Sequence, residues 1–417
     1  MGKIQEKNVF YNALHRYACW TVPMAYRKIE YRNLDAIPRD GAVILAPNHA
    51  NTLMDALVVL TTRKDPIVFV ARADIFKKAA IGKTLRFLKM LPINRIRDGV
   101  EALSENDAIM EQCIDALCDG VPFCILPEGR HRPMHSLLPL KKGIARIAFG
   151  AWERLKDKMP VYIVPIGLEY EDYFDFRSRL LLEAGRPIQL QEFVNAHEGC
   201  TEAELYRQLL LELSARMKET ILYLPDDERY EGLMEAVSRI GEKEYKTLYE
   251  RRKALQKLAD RLAEKHPRML ERMKKRAERR KARGIHLRSA ARKRPGWRLA
   301  LRFLWLLVSA PFAAVLAIPI LPALLLIAWL KGKFKDKAFI NSVRYACCWV
   351  FNPLVLLPVC LLLLIVLPWW ACLLIFAVSF FSPVPCYDWA NGVRYAISDL
   401  RYLRSRDEDR DEDRDEE

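Results

Sequence analysis

None of the ten cysteines is spaced as Cys-x-x-Cys, and five of them (Cys347, Cys348, Cys360, Cys372 and Cys386) fall in one apolar tract. That pattern excludes a disulfide-stapled scaffold, carries no zinc signature and fits a reduced cytosolic face. His131 and His135 have helical metal spacing, but Pro133 lies between them and no third ligand is near, so no metal is expected. The chain lacks the Gly-x-Ser-x-Gly elbow of serine esterases. Gly82-Lys83-Thr84 ends like a phosphate-binding P-loop, yet the required first glycine is Lys77, which removes a nucleotide triphosphatase reading. The opening residues, MGKIQEKNVF, put acids and Asn where a secretory signal needs an apolar core, so residues 1–295 are not expected to be exported. There is no internal repeat, and no Gly/Ser linker interrupts residues 226–294.

What the chain has is charge and apolar length, kept apart. Its 417 residues allow two or three units at about 150 residues each. The net charge is +15, and the last eleven residues, Asp407–Glu417, hold nine acids against two arginines, so residues 1–406 carry +22. Residues 251–298 contain twenty Lys/Arg and four Asp/Glu, which implies an anionic partner, a lipid surface or a nucleic acid. The basic residues are interleaved with Leu, Ala and Met instead of stacking aromatics, so anionic membrane lipids are the expected partner and no nucleic acid is. Beyond them, 28 uncharged residues separate Arg302 from Lys331 and 43 separate Arg344 from Asp388. A span needs about 20 apolar residues, so a wholly soluble protein is excluded. Basic residues flank both tracts, leaving two spans, three or more equally open.

Residues 1–27 carry Phe10, Tyr11, Leu14, Tyr17, Trp20 and Tyr26 among basic residues, which suits a helix lying in the membrane interface or one packed on its own domain. From 28 to about 190, short β-rich runs (KIEYRN, AVILAPN, PIVFVARA, MLPINR, VPFCILPEG, VYIVPIGLEY, RPIQL) alternate with helical stretches. This predicts an α/β fold with a mostly parallel sheet covered by helices. Thr201 and Glu204 form a capping box for a helix that closes this domain, taken as 28–225. Residues 226–295 are expected to form a charged helical arm instead of a second core, 296–390 the transmembrane region, and 391–417 an amphipathic piece with a disordered acidic tail.

Two constellations stand where predicted strands end, the position of chemistry in such sheets. In Pro47-Asn48-His49-Ala50-Asn51-Thr52-Leu53-Met54-Asp55, a carboxylate one turn into a helix can return to the imidazole, fixing its tautomer so that the other nitrogen takes a proton. Asp55 could equally serve only the helix N-terminus. In Leu126-Pro127-Glu128-Gly129-Arg130, Gly129 lets backbone approach a ligand and Arg130 can bind phosphate through two parallel bonds. Lys141 and Lys142 add point charge or form a solvated loop, and Arg95, after Leu91-Pro92-Ile93-Asn94, could converge on the same anion.

In order, Asn-His…Asp, Pro-x-x-Arg, Pro-Glu-Gly-Arg and the Pro-containing strand Val164-Pro165-Ile166-Gly167 resemble the four blocks of the glycerol-phosphate and lysophospholipid acyltransferase superfamily. The resemblance implies His49 as general base and Asp55 as its orienting partner. It implies Arg95, Glu128, Gly129 and Arg130 at the glycerol-phosphate, with Pro165 in the fourth block; the charge of Lys141 is expected to help anchor the same phosphate. Five residues separate His49 from Asp55 where four are common, and Met54 takes the usual Asp place; His-Ala-Asn-x-x-x-Asp is similar to the fungal-type glycerol-3-phosphate and dihydroxyacetone-phosphate branch. Leu126 replaces the common Phe, and Arg130 follows Gly129 without an intervening Thr.

The expectation is therefore a membrane O-acyltransferase. It would move a fatty acyl group from acyl-CoA or acyl carrier protein to glycerol-3-phosphate or its 1-acyl form, with no cofactor beyond the thioester and with its catalytic domain on the cytoplasmic face. Its rivals are an acyltransferase for a headgroup-bearing lysophospholipid and a non-enzymatic lipid- or RNA-binding membrane protein.

Overall fold

The computed structural model describes residues 4–6, 8–94, 100–156, 158–241, 245–292, 296–334 and 336–415, without the side chains of 100–105 and 406–415. The chain divides into two compact units, Met1–Tyr173 with Ser178–Tyr223, and Phe174–Arg177 with Leu224–Glu417.

The first unit runs α1 (Val9–Thr21), β1 (Lys28–Arg32), β2 (Ala42–Pro47), α2 (Leu53–Leu60), β3 (Val68–Arg72), α3 (Ala79–Phe87), β4 (Met90–Ile93), α4 (Val100–Cys118) and β5 (Phe123–Cys124). It continues α5 (Gly143–Leu155), β6 (Val161–Tyr170), β7 (Arg179–Ala184), β8 (Ile188–Gln189), α6 (Leu190–Ala196) and α7 (Glu202–Lys218). The 8-stranded sheet has the order β1-β7-β6-β2-β5-β3-β4, with β8 paired to β6 off this path. The pairs β1–β7, β6–β2, β2–β5, β5–β3 and β3–β4 are parallel, and β6–β7 and β6–β8 are antiparallel, so the expected mostly parallel sheet is present. Every residue of β2 is buried, as a central parallel strand requires. Its Ile44 and Ala46 join Val68, Leu91, Phe123 and Ile163 in a core closed by Leu117 of α4, Ile144, Ile147 and Ala148 of α5, and Leu209 and Leu213 of α7. The helix α7 opens with the expected box: Thr201 N–H donates to Glu204 Oε2 at 2.9 Å and the Thr201 hydroxyl accepts from Glu204 N–H.

One strand was not anticipated. Arg-Leu-Leu-Leu-Glu-Ala in β7 has no β-branched residue and is made of good helix formers, so its local signal is not that of a strand. It becomes one by pairing on both sides, with β1 and β6.

The N-terminal helix packs on its own unit. Tyr11, His15 and Thr21 are buried, and His15 Nε2 lies 3.2 Å from Leu60 O. Phe10 and Trp20, at 79% and 52% exposure, remain outward.

The second unit is helical: α8 (Tyr230–Ile240), α9 (Leu248–Lys265), α10 (Pro267–Ala282), α11 (Leu287–Ala291), α12 (Gly296–Ala317), α13 (Leu321–Lys331), α14 (Phe339–Ala346), α15 (Asn352–Leu363), α16 (Trp369–Phe381) and α17 (Pro383–Asp415). The expected arm is a packed bundle. Leu233, Ala236 and Val237 of α8, Leu255 and Leu262 of α9, and Leu270 and Ala277 of α10 are all buried. A Cβ on Gly232 would lie 2.3 Å from Leu270 O, so α8 and α10 touch backbone to backbone. Buried Glu235 accepts from Arg239 at 2.7 Å and from Arg280 at 2.8 Å, fixing α10 on α8. Composition conceals this core because its apolar residues are outnumbered by outward cations.

Among the described residues, two helices, Gly296–Lys331 and Phe339–Leu363, are long and apolar enough to cross a membrane, or three if the bent pair Trp369–Phe381 and Pro383–Ser405 is one span. The last helix continues through residues 407–415, where disorder was expected.

Candidate active site

The strand β2 delivers Pro47 and Asn48 to the sheet edge. Asn48 is locked to β6, its Oδ1 accepting from Leu168 N–H at 2.7 Å and its Nδ2 donating to Leu168 O at 3.2 Å. His49 follows immediately. The chain then turns through Asn51-Thr52-Leu53-Met54, closed by Met54 N–H donating to Asn51 O at 3.0 Å. Thr52 has φ 49° and ψ −124°, the first central position of a type II′ turn, where a side chain is strained. This tight turn lies between His49 and Asp55, and beyond it the carboxylate comes back to the imidazole.

Asp55 is fully buried. Its Oδ2 accepts from His49 Nδ1 at 2.8 Å and from the N–H groups of Ala50 and Asn51 at 2.9 and 2.7 Å. Its Oδ1 accepts from the Tyr170 hydroxyl at 2.7 Å. The carboxylate therefore holds the histidine loop, and service to the helix terminus alone is set aside. The His49 side chain is 17% exposed, and its Nε2 has no partner among the described residues.

Glu128 is buried, its Oε1 accepting from His49 N–H and its Oε2 from Leu138 N–H, both at 2.8 Å. Burial pushes its carboxyl above the ordinary value, partly offset by those two bonds. It thus braces the backbone of His49 from within the loop that carries Arg130. The 126–132 loop also grips His49 from the other side, Arg132 N–H donating to His49 O at 2.9 Å, and the His131 ring lies edge-on to His49 at 5.5 Å.

Gly129 has φ +70°, which favours glycine, and a Cβ there would lie 3.3 Å from Lys141 Cγ. Lys141 N–H donates to Pro127 O at 2.8 Å, so the Lys141 stem is carried beside the glycine. Arg130, Lys141 and Lys142 are exposed, and their side chains have no ion pair or hydrogen bond among the described residues. Unpaired cations on a loop bonded to the histidine are a ready anion site. Arg95 lies outside the described residues. Pro165 pairs in register with Ala46 in the next strand to the histidine.

His135 is held internally, its Nδ1 3.1 Å from both Glu169 Oε1 and the Tyr173 hydroxyl. Sequence reasoning missed Tyr170. It sits 115 residues from Asp55 at the end of β6, and no local spacing links the two. Burial and the neighbouring Asp55 charge raise the Tyr170 hydroxyl well above its ordinary pKa, so it stays a donor.

Residues 28–169 match the family model described as Acyltransferase. The chain is 35% identical over 112 residues to glycerol-3-phosphate O-acyltransferase 1 of Saccharomyces cerevisiae, covering 26% of this chain and 14% of that protein. It is 47% identical over 64 residues to glycerol-3-phosphate O-acyltransferase 2 of the same yeast, covering 15% and 8%. It therefore spans less than a fifth of either relative. Among solved structures, the 1-acyl-sn-glycerophosphate (LPA) acyltransferase of Thermotoga maritima is similar at TM-score 0.36 and 18% identity, over 50% of this chain and 78% of that one.

Proposed function

We propose that this chain, whose residues 28–169 form an acyltransferase domain of the glycerol-phosphate acyltransferase superfamily, is a membrane-embedded glycerol-phosphate O-acyltransferase. The observation that carries the reading is the buried Asp55 on His49 Nδ1 at 2.8 Å, which leaves Nε2 free to act as a base. The acceptor hydroxyl gives its proton to Nε2 while its oxygen attacks the thioester carbonyl. Collapse of the tetrahedral intermediate breaks the carbon–sulfur bond, and the departing thiolate takes the proton back from the imidazolium. The ester forms, the free thiol leaves, and His49 ends neutral. Asp55 stabilises the transient imidazolium, and the acyl thioester, of CoA or acyl carrier protein, enters as co-substrate.

The acceptor's phosphate would be met by Arg130, Lys141 and Lys142, three cations whose side chains have no ion pair or hydrogen bond among the described residues. Glycerol-3-phosphate is the favoured acceptor over its 1-acyl form, supported by the longer His49–Asp55 spacing, within which the Thr52 turn lies, and by the two yeast relatives' names. The apolar helices would anchor the protein, with the acyltransferase domain facing the cytoplasm. The test is incubation of purified protein with labelled acyl-CoA or acyl carrier protein and, separately, glycerol-3-phosphate, 1-acylglycerol-3-phosphate and headgroup-bearing lysophospholipids. Lysophosphatidate from glycerol-3-phosphate is expected. Product from headgroup-bearing acceptors alone would overturn the acceptor assignment, and no transfer to any would overturn the activity.

A further inference from the structure

The bundle α8–α10 uses its apolar residues on itself. Leu255 and Leu262 of α9 and Leu270 and Ala277 of α10 are buried, α10 touches α8 at Gly232, and the Glu235–Arg280 pair fixes that contact. Neither helix has an apolar face left with which to enter a bilayer.

What these helices leave outward is cationic. Lys257, Arg261 and Lys265 stand at successive four-residue steps on α9, and Arg268, Arg272 and Lys275 continue on α10. All six are exposed, and none makes an ion pair or side-chain hydrogen bond among the described residues. Like charges four apart on a helix repel, so the arrangement costs stability unless an anion neutralises it. The acids within this stretch, Asp260, Glu264 and Glu271, do not close ion pairs with them, and Asp260 instead accepts from Gln256 at 2.8 Å. By contrast Arg280 and Lys281, at the far end of α10, are paired with Glu235 and Glu231.

We propose that the outward face of α9 and α10 is a docking surface for an anionic lipid bilayer, held by charge alone and without insertion. A bilayer is the occupant because the one aromatic of α9 and α10, Tyr249, is flanked by Arg252 and Lys253 over its ring and stands apart from the six cations, and because the first membrane-length helix begins at Gly296, in the same unit. Headgroup charge attracts such a surface within a Debye length, and salt screens the attraction.

The experiment uses the full chain reconstituted in vesicles of phosphatidylcholine alone or with one-third phosphatidylglycerol, and reads amide hydrogen exchange across α9 and α10. Exchange there is expected to slow several-fold in the anionic vesicles. The difference should vanish at high salt and in a Lys257→Gln, Arg261→Gln, Arg268→Gln, Arg272→Gln variant, whose buried α8–α10 amides keep their protection and whose acyl transfer is unchanged. Equal exchange in both compositions would overturn the proposal. Protection that survives high salt would mean insertion, against the packing argument. Protection in phosphatidylcholine vesicles on adding an RNA oligonucleotide, with none from phosphatidylglycerol, would assign the face to nucleic acid.

Discussion

The Tyr170 hydroxyl donates to Asp55 Oδ1 at 2.7 Å while His49 Nδ1 donates to the other oxygen of the same carboxylate at 2.8 Å. The tyrosine thus helps hold the carboxylate that holds His49. Removing the hydroxyl in Tyr170→Phe takes one of four donors from a buried carboxylate, a loss of roughly 1–3 kcal/mol, and leaves the imidazole less firmly placed, so kcat should fall by about tenfold with little change in either KM. Parental kcat with a lowered melting temperature would assign Tyr170 to packing.

His49→Ala should lower acyl transfer by about two to four decades, the usual contribution of a general base, with unchanged membrane association. Asp55→Asn should fall between that variant and the parent. The amide can still orient the imidazole but cannot stabilise its charge as the carboxylate does, and it cannot accept from all four donors now on Asp55. Single-turnover rates separate these effects from folding loss, and a His49→Ala enzyme with parental turnover would end the base assignment.

Arg130→Ala should raise the KM for the phosphate-bearing acceptor while leaving the donor curve unchanged, because the exposed guanidinium has no structural partner among the described residues to lose. Paired saturation curves decide this. A shifted donor curve with an unshifted acceptor curve would move Arg130 to the phosphates of the thioester carrier.

Glu128→Gln tests both position and pH. Burial raises the folded-state carboxyl pKa, so this group contributes stability below the ordinary carboxylate value and loses it as pH rises through the folded value. The glutamine variant lacks that decline, so its melting temperature relative to the parent should improve from acid to neutral pH. Its turnover should nevertheless drop, since an amide can accept from only one of the His49 and Leu138 N–H groups unless it rearranges. Melting in detergent across pH, beside acyl-transfer rates, gives both readouts; parental turnover would show that Glu128 does not position His49.

At Thr52 the strained φ of 49° predicts an ordering instead of a single loss. Both Thr52→Gly and Thr52→Ala forfeit the side chain, but glycine tolerates the left-handed region, so it should be less destabilising than alanine by about 1 kcal/mol. Denaturation midpoints of the two variants give the comparison. Alanine matching glycine would mean that the turn relaxes on substitution.

Hydrophobic alternation, turn residues and capping chemistry are local, and so the strands through β6, the Thr201 box and the apolar tracts were legible in the amino-acid order. His49 and Asp55 were legible together for the same reason: they belong to one turn, six positions apart. What joins distant segments has no such local signature. The strand β7 exists because β1 and β6 offer it hydrogen-bonding edges on both sides, against the helix preference of its own leucines. Glu128 lies under His49 because two loops 79 residues apart meet at the sheet edge, which burial and two backbone N–H donors then require it to satisfy. The fourth donor to the Asp55 carboxylate, Tyr170, is supplied across 115 residues, and only the pairing of β6 beside β2 brings its hydroxyl there.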